Sequence, residues 1–200
     1  MSSIEEIVIV GTGGHAVSCL EVIESRDDFR VAGFISNQQQ ADFMGYPILG
    51  SDSDLPELAK KYKNACIGVG QIKSAQSRVD IYNILEELGF QLPSIISSSA
   101  HVSKFAHIGN GCIVMHGAVI NALAKIGENS IINSMALIEH GSQIGRDCHI
   151  STGVLINGDC VIGNGSFIGS GASLKQGSTL PSESFVKMGE IIGKISGSHG

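Results

Sequence analysis

The chain has 200 residues, of which 42% are apolar and 16% charged, with a net charge of −6; this is enough hydrophobic material for one large core or two small ones. That charge excludes a broad basic surface, so neither nucleic acid nor an anionic membrane is an expected partner, and any anionic ligand needs a local pocket. The 26 glycines, set against 5% aromatics and no tryptophan, point to a turn-rich core built without bulky rings.

From Met1 to Val10 there is no basic region, long apolar stretch or small-residue cleavage site, and no apolar run reaches membrane-spanning length. Cys19, Cys66, Cys112, Cys148 and Cys160 form an odd set without a C-x-x-C pair, which argues against a disulfide framework or a zinc ribbon and for a reducing cytoplasm. Ile7 to Val10 predicts a strand running into Gly11-Thr12-Gly13-Gly14-His15-Ala16, and Val17, Leu20, Val22 and Ile23 then mark an amphipathic helix. Strand, glycine turn and helix in the spacing G-x-G-x-x-A make a cradle for phosphate, because the glycines let backbone approach and the helix start favours an anion. Further strands are expected at Val31 to Ile35 and at Ala65 to Val69, ending at Gly70; helices are expected after Asp54, with Pro56 in the first turn, and from Ser74 to Leu88. This is half of a doubly wound sheet. Ser36-Asn37 stands where a dinucleotide-binding domain places an acid for the ribose, which disfavours NAD.

Pro93 and Ser97-Ser98-Ser99 mark a junction, giving a Rossmann-like domain at 1–93 and a repeat domain at 94–200. In the second, an aliphatic residue recurs every six positions from Val102 to Ile192 without a gap, and a small residue such as Ala106, Cys112, Ala118 or Ser130 sits four positions after each, Glu190 being the clear exception. Three such hexapeptides make one triangular coil of a parallel β-helix, in which each inward aliphatic stacks on the one eighteen residues away. Cys112, Cys148 and Cys160 occupy the small-residue slot and read as inert packing groups.

Ile7 through Ala16, Ser99-Ala100-His101-Val102-Ser103, and Ile138-Glu139-His140 with Ile144-Gly145 together resemble the sialic-acid O-acetyltransferase and bacillosamine N-acetyltransferase family over essentially the whole chain. The resemblance implies a left-handed β-helix and a homotrimer with active sites between adjacent prisms. It also implies acetyl-CoA as co-substrate, a nucleotide-linked amino sugar as acceptor, and no metal. It places His140 on the catalytic base, His149 beside acetyl-CoA, Gly158 where its N–H faces the thioester carbonyl, and Gly13, Gly14, His15, Ser36, Asn37 and Gly70 around the sugar nucleotide. Two departures stand out. Gly141 follows His140 where the family often has an acid, leaving Glu139 or Asn133 to orient the ring, and Ser36-Asn37 replaces residues that are commonly acidic.

A histidine base suits acetyl transfer to an amine near neutral pH, with no covalent acyl-enzyme required. The expected function is N-acetylation of a UDP-linked amino sugar; O-acetylation of a sialic-type sugar and a non-catalytic β-helical scaffold remain the alternatives. A β-helical metal hydrase needs two histidines five residues apart, a spacing that does not occur here. His101, His107 and His116 read as structural, Lys175, Lys187 and Lys194 as a solvated face, and His199 as part of the tail.

Overall fold

The computed structural model describes residues 4–71 and 74–193; Lys194 and His199 lie outside them. The front domain follows the predicted order. Strand β1 (Glu5–Val10) leads through the glycine turn into α1 (Gly14–Glu24), followed by β2 (Phe29–Ile35), β3 (Asp42–Phe43), β4 (Tyr46–Gly50), a short helix α2 (Leu55–Leu58), β5 (Asn64–Ile67) and α3 (Gln76–Glu87). The sheet order is β3-β4-β2-β1-β5, with β1 parallel to β2 and β5. Ile7 to Val10 are buried throughout, as the unbroken apolar run of a central parallel strand requires.

Two features differ from the expected elements. The strand predicted to continue to Val69 stops at Ile67 because the Arg78 side chain captures the carbonyls of Ile67 and Val69. A hairpin absent from the sequence reading, β3 to β4, turns at Met44 and Gly45, both at positive φ, and β4 then pairs parallel with β2. Gly68 has a clear packing role: a Cβ there would lie 2.8 Å from the Cβ of Ala16 and 2.9 Å from Cγ2 of Ile9, so its absence lets α1 settle onto the sheet.

Every hexapeptide of the second half folds as a two-residue strand and a turn. Strands stack in register eighteen residues apart into three parallel sheets. The first face runs from Ile95–Ile96 to Phe185–Val186, the second from His101–Val102 to Ile191–Ile192, and the third from His107–Ile108 to Thr179–Leu180. The ladder therefore begins one step before Val102, at Ile96. Inward aliphatics such as Ile120, Ile132, Ile138, Ile150, Ile156 and Ile168 are fully buried, each contributing about 1.5–3 kcal/mol of apolar burial.

The small-residue slot carries a polar duty as well as a steric one. The Ser130 and Ser142 hydroxyls donate to the carbonyls of Gly145 and Asn157, and the thiols of Cys112, Cys148 and Cys160 lie 3.1–3.2 Å from the matching carbonyls of Gly127, Gly163 and Lys175. Burial pushes the thiols of Cys112 and Cys148 up to about 11 and about 12, which keeps them protonated and unreactive. A second ladder runs in the same six-residue period. From 111 to 189 the residue just before each small-residue slot has positive φ, supplied by Gly at 111, 117, 141, 153, 165, 171, 177 and 189, and by Leu123, Asn129, Met135, Asp147, Asp159 and Glu183 between them.

The front domain sits on the first face. Ile95, Ile113 and Ile131, the outward residues of its first three strands, join Cys19, Val22 and Ile23 of α1 in one buried cluster. Tyr82 of α3 packs where Gly111 has no side chain. No helix among the described residues is long and apolar enough to cross a membrane.

Candidate active site

The residues singled out in sequence fall into two groups on opposite sides of the rod. His140 occupies the turn between Leu137–Ile138 on the second face and Gln143–Ile144 on the third. In a triangular coil that edge is the one opposite the first face, where the front domain lies.

His140 is exposed, and its imidazole lies flat over Gly158 one coil on. A Cβ at Gly158 would fall 2.7 Å from Cε1 and 2.8 Å from Nε2, so any side chain at 158 has to displace the ring. The Gly158 N–H bonds to none of the described residues, while its carbonyl accepts from Gly177. An imidazole able to take a proton thus stands beside an unspent backbone donor, the pair that acyl transfer needs.

Neither expected orienting partner reaches the His140 ring. Glu139 turns back to accept from Asn121 Nδ2 at 2.9 Å and from the His140 backbone N–H at 3.4 Å. Asn133 places its Nδ2 3.3 Å from Nε2 of His149 instead. The reason is register: residue 133 closes a strand on the first face, whereas His140 belongs to the opposite edge.

His149 is buried and committed on both sides. Its Nδ1 bonds the Gln71 carbonyl and its Nε2 faces the Asn133 amide. A carbonyl only accepts and an amide NH₂ only donates, so the ring is the neutral tautomer with its proton on Nδ1. Burial holds its pKa below the ordinary histidine value. His149 also meets Phe167 edge-on at 5.2 Å, and Phe167 stacks on Phe185 at 5.1 Å. Within one chain it therefore ties the strand-end loop of the front domain to the first face, and the expected contact with acetyl-CoA would have to come at the exposed margin of this aromatic column.

Gly13, Gly14 and His15 form the start of α1, whose N-cap Gly13 offers no side-chain cap; the Ala16 N–H bonds the Gly13 carbonyl, and the N–H groups of Gly14 and His15 are left for a ligand. A Cβ at Gly70 would lie 3.3 Å from the His15 Cβ. Burial, the Arg78 guanidinium and His149 lower the His15 pKa to about 3, and its Nε2 has no partner among the described residues. Thr12 and Ser36 hydroxyls meet at 2.9 Å, and the Asn37 amide is paired with Asp52.

Two residues escaped the sequence reading. Asp52 arrives from the end of β4, a strand not foreseen. Arg78 is 2% exposed and donates only to carbonyls, those of Ile67, Val69, Gly111 and Asn129; its sole signal in the sequence is a basic residue in an otherwise amphipathic helix.

Neutral buried histidines make stability depend on pH. His15 and His149 both have depressed folded-state values, so the unfolded chain binds protons more readily between about 6.5 and about 3. Stability is complete above about pH 6.5 and falls as pH drops toward 3. The melting temperature is expected to decline across that window, and His15→Gln, which cannot take up the proton, is expected to flatten the decline; an equal slope in both proteins would contradict the assignment.

The fold is that of a hexapeptide-repeat transferase fronted by an α/β domain. Residues 6–85 match the PglD N-terminal domain family, and residues 123–158 and 141–176 match the bacterial transferase hexapeptide (six repeats) family. A search of curated proteins by sequence gives no match. Among solved structures, a histidine-to-asparagine mutant of perosamine N-acetyltransferase from Caulobacter crescentus, in complex with CoA and GDP-perosamine, is 28% identical. The match covers 97% of this chain and 91% of that one with a TM-score of 0.89. The acetyltransferase domain of PglB from Neisseria gonorrhoeae is also 28% identical, over 94% of this chain and 91% of its own, with a TM-score of 0.88. With a PglD N-terminal domain followed by the hexapeptide repeats of bacterial transferases, and with its likeness to two N-acetyltransferases over more than nine-tenths of its length, the chain is an acetyltransferase of the hexapeptide-repeat type.

Proposed function

We propose that the protein is a homotrimer that transfers the acetyl group of acetyl-CoA to the amine of a nucleotide-linked amino sugar in the cytoplasm, with His140 as general base. In this reading residues 1–93 hold the sugar nucleotide and residues 94–200, coiled left-handed, hold the acyl donor. The observation that carries the proposal is the exposed His140 ring lying over the bare Cα of Gly158, whose N–H bonds none of the described residues. CoA and a GDP-linked amino sugar in the perosamine enzyme support the two substrates, as does acetyl coenzyme A in the PglB domain.

Geometry also supports assembly. His140 occupies the edge opposite its own glycine loop, so a sugar held by that loop meets a His140 only from a second copy. Exposed apolar residues lie on and beside this edge, Phe105 and Leu123 on it and Leu155 and Ile191 on the adjoining second face, suited to burial between copies.

The residues present fit acetyl-CoA as co-substrate. His140 accepts a proton from the acceptor amine as the nitrogen attacks the thioester carbon. The Gly158 N–H donates to the carbonyl oxygen as charge develops there. The carbon–sulfur bond then breaks, and the proton held by His140 returns to the departing thiolate, so no acyl-enzyme forms.

Thiol release from acetyl-CoA tests the proposal directly. UDP- and GDP-linked amino sugars are the expected acceptors, UDP being the favoured carrier and the GDP sugar of the perosamine enzyme making GDP the competitor. Turnover of free sialic acid in preference to both would replace N- by O-acetylation. No release with any acceptor, together with no thermal protection by acetyl-CoA, would leave a scaffold.

A further inference from the structure

We infer that Asp52 binds the ribose hydroxyls of the sugar nucleotide. The inference rests on the reading of the front domain as the nucleotide site and adds to it a residue that no sequence motif marks.

In a doubly wound sheet the diphosphate lies at the glycine turn after the first strand, and the nucleoside crosses the end of the second, where a carboxylate takes the ribose diol. Here the end of β2 carries Ser36 and Asn37, neither of them acidic. The carboxylate comes from the neighbouring strand. β4 lies parallel to β2, and the Ser36 N–H donates to the Gly50 carbonyl at 2.9 Å, which brings the residues just after β4 level with the end of β2.

Asn37 Nδ2 donates to Asp52 Oδ2 at 2.7 Å, and the Asp52 backbone N–H donates to Asn37 Oδ1 at 3.1 Å. Both polar atoms of Asn37 engage Asp52, so Asn37 orients the acid. Asp52 Oδ1 bonds none of the described residues and accepts a hydroxyl.

The same end of the sheet shows two more signs of a ligand. The start of α1 lacks a side-chain cap, and the ring nitrogen Nε2 of His15 in its first turn is buried without a partner among the described residues. The Gly11 N–H bonds the Ile35 carbonyl at 2.8 Å and the Thr12 and Ser36 hydroxyls meet at 2.9 Å. The phosphate turn and the ribose acid are thus held on one rigid strand end.

The test is calorimetric titration of the full chain with UDP and GDP and with their 2′-deoxy counterparts. A hydroxyl bonded to a carboxylate predicts that the ribonucleotide of the preferred pair binds at least about 10-fold more tightly than its 2′-deoxy form. Asp52→Asn, which still accepts from Asn37, is expected to erase that ratio, and Asp52→Ala to do the same; circular dichroism checks that both are folded. A wild-type protein indifferent to the 2′-hydroxyl, or an Asp52→Asn protein that keeps the ratio, overturns the role of Asp52 alone. Failure of the wild type to bind either nucleotide overturns the nucleotide-site reading with it.

Discussion

Replacing His140 by alanine is expected to slow acetyl transfer by at least about 10²-fold, the usual worth of a positioned general base. The melting temperature should stay close to that of the parent. The side chain is exposed and its ring bonds no side chain among the described residues, so the rod loses little by its removal, and the backbone bond from Asp159 N–H to the His140 carbonyl survives. Steady-state kinetics over a pH range separates this from a binding defect. Loss of a base lowers kcat and removes the acidic limb of the kcat profile, whereas loss of a mere contact raises KM and leaves the profile in place. Gly158→Ala gives an independent check, because its methyl group would occupy space the ring now fills and would shift the imidazole off the Gly158 N–H. A near-normal rate in His140→Ala would remove histidine from the chemistry.

The rod was legible from sequence because its stabilising contact repeats. An inward aliphatic at every sixth position needs a partner eighteen residues away, and that demand prints itself on the chain from Val102 to Ile192. The pairing of His140 with Gly158 was readable for the same reason, being one coil of separation. The positive-φ ladder shares the period but was missed, since Leu123, Met135 and Glu183 stand where glycine is the usual occupant and only the neighbouring glycines betray the conformation. Partnerships without a fixed period could not be read at all. Asn133, one of two residues the sequence offered to orient His140, meets His149 instead, because spacing along the chain does not reveal which face of a triangle a side chain leaves. Asp52 and Asn37 meet only because β4 adds to the sheet edge beside β2, and the β3–β4 hairpin is too short and too polar at Asp42 to announce itself. The His149 ring looked like a free ligand group until the Gln71 carbonyl and the Asn133 amide filled both nitrogens.

Removing the guanidinium of Arg78 is expected to be the most damaging single change to stability. Its side chain is buried, faces no carboxylate among its hydrogen-bond partners, and spends its N–H groups on four carbonyls: Ile67 at 2.8 Å, Val69 and Gly111 at 3.0 Å, and Asn129 at 3.1 Å. Two of these lie at the end of β5 and in the loop after it, and two in turns of the β-helix, so one side chain joins the units. Arg78→Met fills much of the same volume yet leaves these buried acceptors unpaired, at about 1–3 kcal/mol each when a partner is lost. Relief from burying a cation offsets part of that cost, and a net loss of about 3 kcal/mol is the expected result in urea unfolding. Arg78→Lys keeps the charge but replaces a planar five-donor fork by a single ammonium, and should fall between the two. Function should follow stability, because Val69 to Gln71 carry the bond to His149 and the wall beside His15; a folded Arg78→Lys protein is expected to bind nucleotide more weakly while acetyl-CoA still protects it. An Arg78→Met protein as stable as the parent would mean that the apolar contacts of Ile113 and Ile131 with α1 hold the two units together without the clamp.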